Sequence, residues 1–245
     1  METHKIIFTA NSPDEQESHS GPIPIGKTIP QWYRQADRYA KNPATGEYWE
    51  MPDIGGKIPT WKACPAVYDV MGSGYTLKTP CDIEFAEDKS GNVQVRILDE
   101  AHQHFLTANH GLPVFVSPRG YHQHPLAWCP AWSTLLPEGH SALYTHPINR
   151  FELPFMTASG IVDHDLDQGA HSIPFFILKG VSGIVPAGTA YAQLIPFLRE
   201  HWQAEYDVDL TPEQMQARNR ANSEQFRRPD GGIYLREVWE RRKYQ

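Results

Sequence analysis

Apolar positions along this chain come in short runs, each cut off by Gly, Pro, Asn or a cluster of charges. That rhythm predicts many short strands joined by tight turns. It is densest between Leu136 and Glu200, where Leu143-Tyr144-Thr145, Gly160-Ile161-Val162 and the stretch Ala187 to Pro196 read as strands with their turns. Earlier, Lys5 to Ala10 reads as a first strand and Tyr75-Thr76-Leu77 as another. Cys81 to Ala86 and Val93 to Ile97 alternate in period two around Glu87 to Asn92, the pattern of a hairpin. Leu112 to Val116 is strand-like, while Asn11 to Gly21 and Asn42 to Pro59 read as loops.

Helical signals are fewer. Pro30-Gln31-Trp32-Tyr33 opens a short helix, and Ala66 to Met71 reads as a helical turn stopped by Gly72-Ser73-Gly74. Thr211-Pro212 starts a polar helix reaching Phe226, with Thr at the N-cap and Pro at the first helical position. Arg227 to Gly232 breaks it, leaving a charged tail over Ile233 to Lys243 anchored by Tyr234 and Trp239. The expected fold class is therefore mainly β. Residues 1–59 form an N-terminal strand and arm, 60–202 a β body and 203–245 a helical C-terminal tail.

Composition narrows the function classes. A net charge of −7 over 245 residues supplies no basic field for general nucleic-acid binding or for an anionic membrane surface. No apolar run is long enough to span a bilayer and no secretory pattern opens the chain, so the expected location is cytoplasmic. Cys64, Cys81 and Cys129 are an odd set without zinc-pair spacing, and read as reduced thiols. The 12 histidines are an excess.

Two constellations carry candidate chemistry. Asp163 and Asp165 flank His164, and on an extended backbone residues two apart share a face, so both carboxylates converge on one cation or one water. These are the candidate catalytic pair. His122 and His124 have the spacing of adjacent ligands for Zn or Fe(II). The third ligand stays open among His102, His104, His140, His146 and Asp163, with His146 carried forward. Arg150 is a candidate anion contact, equally suited to pairing with Glu152 or Asp165.

Several stretches also resemble known families. Lys62 to Pro65, Gly74-Tyr75, Cys81 to Ile83, Pro137 to Arg150 and Gly188 to Glu200 are similar to motifs of a protein family found in tailed phages, notably those of cyanobacteria, and in some bacteria. More broadly, Ser73 to Leu77, Gly139 to Leu143, Gly160 to Gly169 and Gly188 to Leu194 resemble, in order, four motifs of the dUTPase and dCTP deaminase superfamily. The resemblance implies a β-clip, a distorted β-barrel that assembles as a homotrimer. It also implies a nucleotide or related small-molecule ligand, with Mg²⁺ as metal; the alternatives are a hydrolytic or oxidative enzyme with Zn or Fe on His122 and His124, and a non-enzymatic phage accessory or host-interaction protein. Asp163 would orient the attacking water, Ser141 and Gln193 would touch phosphates, and Tyr75 would lie in the first motif. Three positions depart from the pattern: Thr76 replaces an Asp, Leu166 replaces the sugar-stacking Tyr, and the fourth-motif Arg is absent. A triphosphate needs several preorganised donors, so these departures thin the phosphate clamp.

Overall fold

The computed structural model describes residues 4–18, 21–52, 56–108, 116–206, 209–226, 237–240 and 243–245. The expected strand over 112–115, the helix break at 227–232 and the Tyr234 anchor lie outside the described residues. The chain divides into two compact units, one of residues 1–28, 73–199 and 244–245, the other of residues 29–72 and 200–243.

The first unit is mainly β and antiparallel throughout. Its largest sheet runs Gly160–Val162, His140–Thr145, Ala190–Leu198, Tyr75–Lys78, Ile23–Pro24 across the strands. A four-stranded sheet joins Phe155–Thr157, Ile173–Ile177, Leu126–Trp128 and Leu106–Ala108. The expected hairpin forms from Ile83–Glu87 and Val93–Ile97, with Gly183–Val185 added at its edge. Its turn is built on Asp88, whose Oδ1 accepts from the amides of Ser90 and Asn92 at 2.8 and 2.9 Å. Ile7–Ala10 pairs with Trp132–Leu135.

Alternation sends Leu77, Ile83, Phe85, Ala142, Phe175 and Leu194 into one core around Trp128. The Trp128 and Phe175 rings stack with centroids 3.7 Å apart, and each such ring contributes ~2 kcal/mol from burial alone. The Trp128 indole N–H is satisfied by Thr157 Oγ1 at 3.1 Å, and that hydroxyl donates to the Tyr191 carbonyl at 2.6 Å. Gly74 sets where two strands meet. Its φ is +81°, and a Cβ there would stand 2.0 Å from the Leu194 carbonyl oxygen.

One expected loop is partly helical. Pro13–Ser18 forms a helix because Ser12 caps it, its hydroxyl accepting from the Glu15 amide at 3.3 Å, with Pro at the first turn.

The second unit carries the helices Gln31–Gln35, Pro65–Gly72 and Pro212–Phe226. Thr211 caps the last in both directions: its hydroxyl accepts from the Gln214 amide at 3.3 Å and its amide donates to Gln214 Oε1 at 2.8 Å, a capping box. Trp239 Nε1 donates to Asp69 Oδ2 at 2.8 Å. The stretch read as a loop over Asn42 to Pro59 carries backbone bridges Tyr39↔Pro59, Lys41↔Tyr48 and Glu50↔Lys57. No helix among the described residues is long and apolar enough to cross a membrane.

Candidate functional site

Three segments of the first unit converge at the end of the largest sheet. Val162 pairs with Ala142, and Leu198 with His140, so the residues just beyond these pairs, Asp163 and Arg199, come up beside Ser141 and Gly139. The Arg199 amide donates to the Gly139 carbonyl at 2.8 Å, which fixes where its side chain starts.

Asp163 and Asp165 both meet the guanidinium of Arg199. Nη1 and Nη2 bond the two oxygens of Asp165 at 2.7 and 2.5 Å, while Nη1 lies 3.2 Å from Asp163 Oδ1. The Gly139 amide adds a third bond to Asp165 Oδ2 at 2.7 Å. Asp165 is thus enclosed, its side chain 4% exposed, and Arg199 holds its carboxyl down to about 2. Asp163 differs: its side chain is 48% exposed, and Oδ1 accepts from the Ser141 hydroxyl at 2.6 Å. That bond first, and Arg199 second, keep its carboxyl below the usual range. Both acids are anions at neutral pH.

His164 faces another way because the backbone here is a turn and not the extended stretch the sequence predicts: the strand ends at Val162, and the Leu166 and Asp167 amides both donate to the Asp163 carbonyl at 3.0 Å. It is 1% exposed. Its Nδ1–H donates to the Asp167 carbonyl at 2.8 Å, so Nε2 accepts from the Tyr144 hydroxyl at 2.7 Å. Burial lowers the His164 pKa and pushes the Tyr144 phenol up to about 12.

The remaining candidates sit elsewhere in the first unit. Gln193 is fully buried. Its Oε1 accepts from the Ile148 amide at 3.0 Å and its Nε2 donates to the Ser73 carbonyl at 2.8 Å, so the amide ties two turns together. Arg150 pairs with Glu152. Tyr75 is buried against Phe8 and Tyr244, and its hydroxyl donates to the Gln245 carbonyl at 3.2 Å. His122 Nε2 lies 3.5 Å from Glu87 Oε2, while His124 is exposed. His146 accepts from the Thr157 amide at Nδ1, 3.3 Å, and donates from Nε2 to the Arg150 carbonyl at 3.1 Å. Both its nitrogens are engaged, and desolvation lowers its pKa.

These positions bear directly on metals. Among the described residues, no group of three or more His, Cys, Asp or Glu side chains is placed to hold a metal ion. His146 has no lone pair left for Zn or Fe(II). At the position where the dUTPase-like pattern has a carboxylate for Mg²⁺, Thr76 is fully buried and shares a 2.7 Å hydrogen bond with Thr28. The described residues thus offer no three-ligand set for Zn or Fe(II), and no carboxylate at the Thr76 position for Mg²⁺. Arg199 is the site residue that sequence reasoning left without a role; its signal was a lone cation directly after the Ala190–Leu198 strand.

No model of a known protein family matches the chain, and no curated protein matches it.

Proposed function

We propose that the first unit is a dUTPase-like β-clip that binds a nucleotide-class ligand at the Asp163 corner. One observation carries this reading: the ionised Asp163 carboxylate is anchored through Oδ1 by Ser141 and Arg199 while the side chain stays half exposed. A carboxylate oriented in this way accepts a hydrogen bond from a ligand hydroxyl or a water without a further ordering cost. The four motif-like stretches lend support, since their strands are neighbours in one sheet, Tyr75–Lys78 beside Ala190–Leu198 beside His140–Thr145 beside Gly160–Val162.

The departures shape the ligand. Leu166 is 79% exposed three residues after Asp163 and offers an apolar side chain where a tyrosine would stack. Arg199 is committed to Asp165, which leaves little free positive charge for phosphates. The reading is therefore of a nucleoside or nucleotide held mainly by its sugar hydroxyls, with triphosphate turnover disfavoured. The trimeric assembly implied by the superfamily belongs to the same proposal.

A thermal-shift panel of ribo- and deoxyribonucleosides, their monophosphates and triphosphates, with and without Mg²⁺, tests it. A ligand at about one hundred times its Kd stabilises by about 2.7 kcal/mol, several degrees for a domain of this size. At least one nucleoside or nucleotide is expected to raise Tm, and Asp163→Asn to abolish the rise. No shift with any of them contradicts the proposal.

A further inference from the structure

A recess of the first unit, sharing no residue with the Asp163 corner, combines apolar walls with one uncommitted cation. Three prolines, Pro22, Pro80 and Pro130, and the indole of Trp132 form much of its lining. The enclosed part is about 20 Å³, and about 290 Å³ with the open mouth counted. An enclosed space of that size holds one water, and the larger figure stands at the small end of ligand sites. A one-ring molecule resting in the mouth matches it.

Two charged side chains reach the lining, Glu15 and Lys78, and their situations differ. Glu15 is 2% exposed and already engaged, with His102 Nε2 3.6 Å from its Oε1 and a further interaction besides. Lys78 ends the strand Tyr75–Lys78 opposite Ala190 and is half-buried. Among the described residues its ammonium forms no ion pair and no hydrogen bond. A half-buried cation without an anion has given up hydration with no return. The three prolines have no N–H, so their walls offer an anion no backbone donor, and Lys78 is left to bind it.

From these positions we infer that the recess binds an aromatic monocarboxylate of about the size of benzoate or phenylacetate. Its carboxylate meets the Lys78 ammonium in a charge-assisted hydrogen bond. Its ring lies against the Trp132 indole and the proline rings, burying apolar surface on both sides. Glu15 repels the carboxylate end, which fixes the orientation. A neutral ring leaves Lys78 unpaired, a ring amine is repelled by it, and acetate leaves the walls uncovered. Only a ligand with both parts satisfies the recess.

Titration calorimetry on the full chain decides this. The probes are benzoate, phenylacetate and phenylpropionate, with benzyl alcohol, benzylamine and acetate as controls. At least one aromatic acid is expected to bind with a Kd of about 1 mM or tighter, and every control at least ~10-fold more weakly. Lys78→Gln with an unchanged Tm should weaken binding by about tenfold or more, and Lys78→Arg should keep most of the affinity. Amide chemical-shift mapping with the best acid needs no variant, and its saturable shifts should gather at Leu77 to Thr79 and Ala131 to Trp132. The inference fails if no aromatic acid binds, if a control binds as well as the best of them, if folded Lys78→Gln binds undiminished, or if saturable shifts leave those two segments unmoved.

Discussion

The guanidinium of Arg199 closes on Asp165 through two parallel hydrogen bonds, Nη1 to Oδ1 at 2.7 Å and Nη2 to Oδ2 at 2.5 Å. This pairing holds the Asp165 carboxyl down to about 2, below the ordinary value of about 4. For a carboxylate whose folded pKa is depressed, the stabilisation is complete above the unfolded value and is lost as pH falls through the folded one. Urea midpoints followed from about pH 4 down to about pH 2 should therefore fall more steeply in the wild type than in Asp165→Asn. Equal slopes would show that the pair contributes nothing to acid sensitivity.

Gln193 gives a different signature from a ligand contact. Replacing it with Ala removes the Gln193 partner of the buried Ser73 carbonyl and of the half-buried Ile148 amide, which costs about 1–3 kcal/mol. Chemical denaturation should show that loss with no ligand present. A variant as stable as the wild type would mean that the two turns find other partners.

Gly74→Ala should prevent accumulation of folded protein, since its Cβ would stand 2.0 Å from the Leu194 carbonyl on a backbone at φ +81°. A cost above about 4 kcal/mol is expected. Gly72→Ala, which meets nothing within 4 Å, is the control and should fold normally. Circular dichroism of the two variants side by side reads the difference.

His164 and Tyr144 make a buried acid-sensitive pair. Burial lowers the His164 pKa, so the unfolded chain, with its ordinary value of about 6.5, takes up the proton first. The resulting stability is complete above about pH 6.5 and declines as pH falls toward the folded value. The titratable neighbours are Asp163, Asp167 and His171, the last 3.2 Å from Asp167. His164→Gln should flatten the decline below about pH 6.5, and Tyr144→Phe should cost about 1–3 kcal/mol at neutral pH by leaving Nε2 without its donor. An unchanged pH profile in His164→Gln would sink this assignment.

Local signals were legible in the sequence where a short stretch decides its own conformation. The Asp88 turn, the strands on either side of it, and the Thr211 helix start all depend on residues within a few positions of one another. Ser12-Pro13 was an equally local cap that went unread inside a polar stretch. The extended backbone expected at Asp163 to Asp165 is instead a turn, closed by the Leu166 and Asp167 amides on the Asp163 carbonyl, so two-residue alternation is not what groups the two carboxylates. What decides their chemistry is not local: Arg199 lies 34 residues from Asp165, and only the strand register brings them together. Gln193 shows the same limit. Its position between apolar residues marks it as special, yet the turns it joins, at Ser73 and Ile148, are set by the sheet. For His146, neighbours at Arg150 and Thr157 use both ring nitrogens, something residue type and spacing do not reveal.

The most direct test of the Asp163 corner is amide chemical-shift mapping by NMR on the isotopically labelled chain, titrated with the nucleoside or nucleotide that stabilises it best. The account predicts saturable shifts concentrated at Gly139 to Ser141, Asp163 to Leu166 and Arg199, and lost in Asp163→Asn. Saturable shifts that leave those three segments unmoved would contradict it.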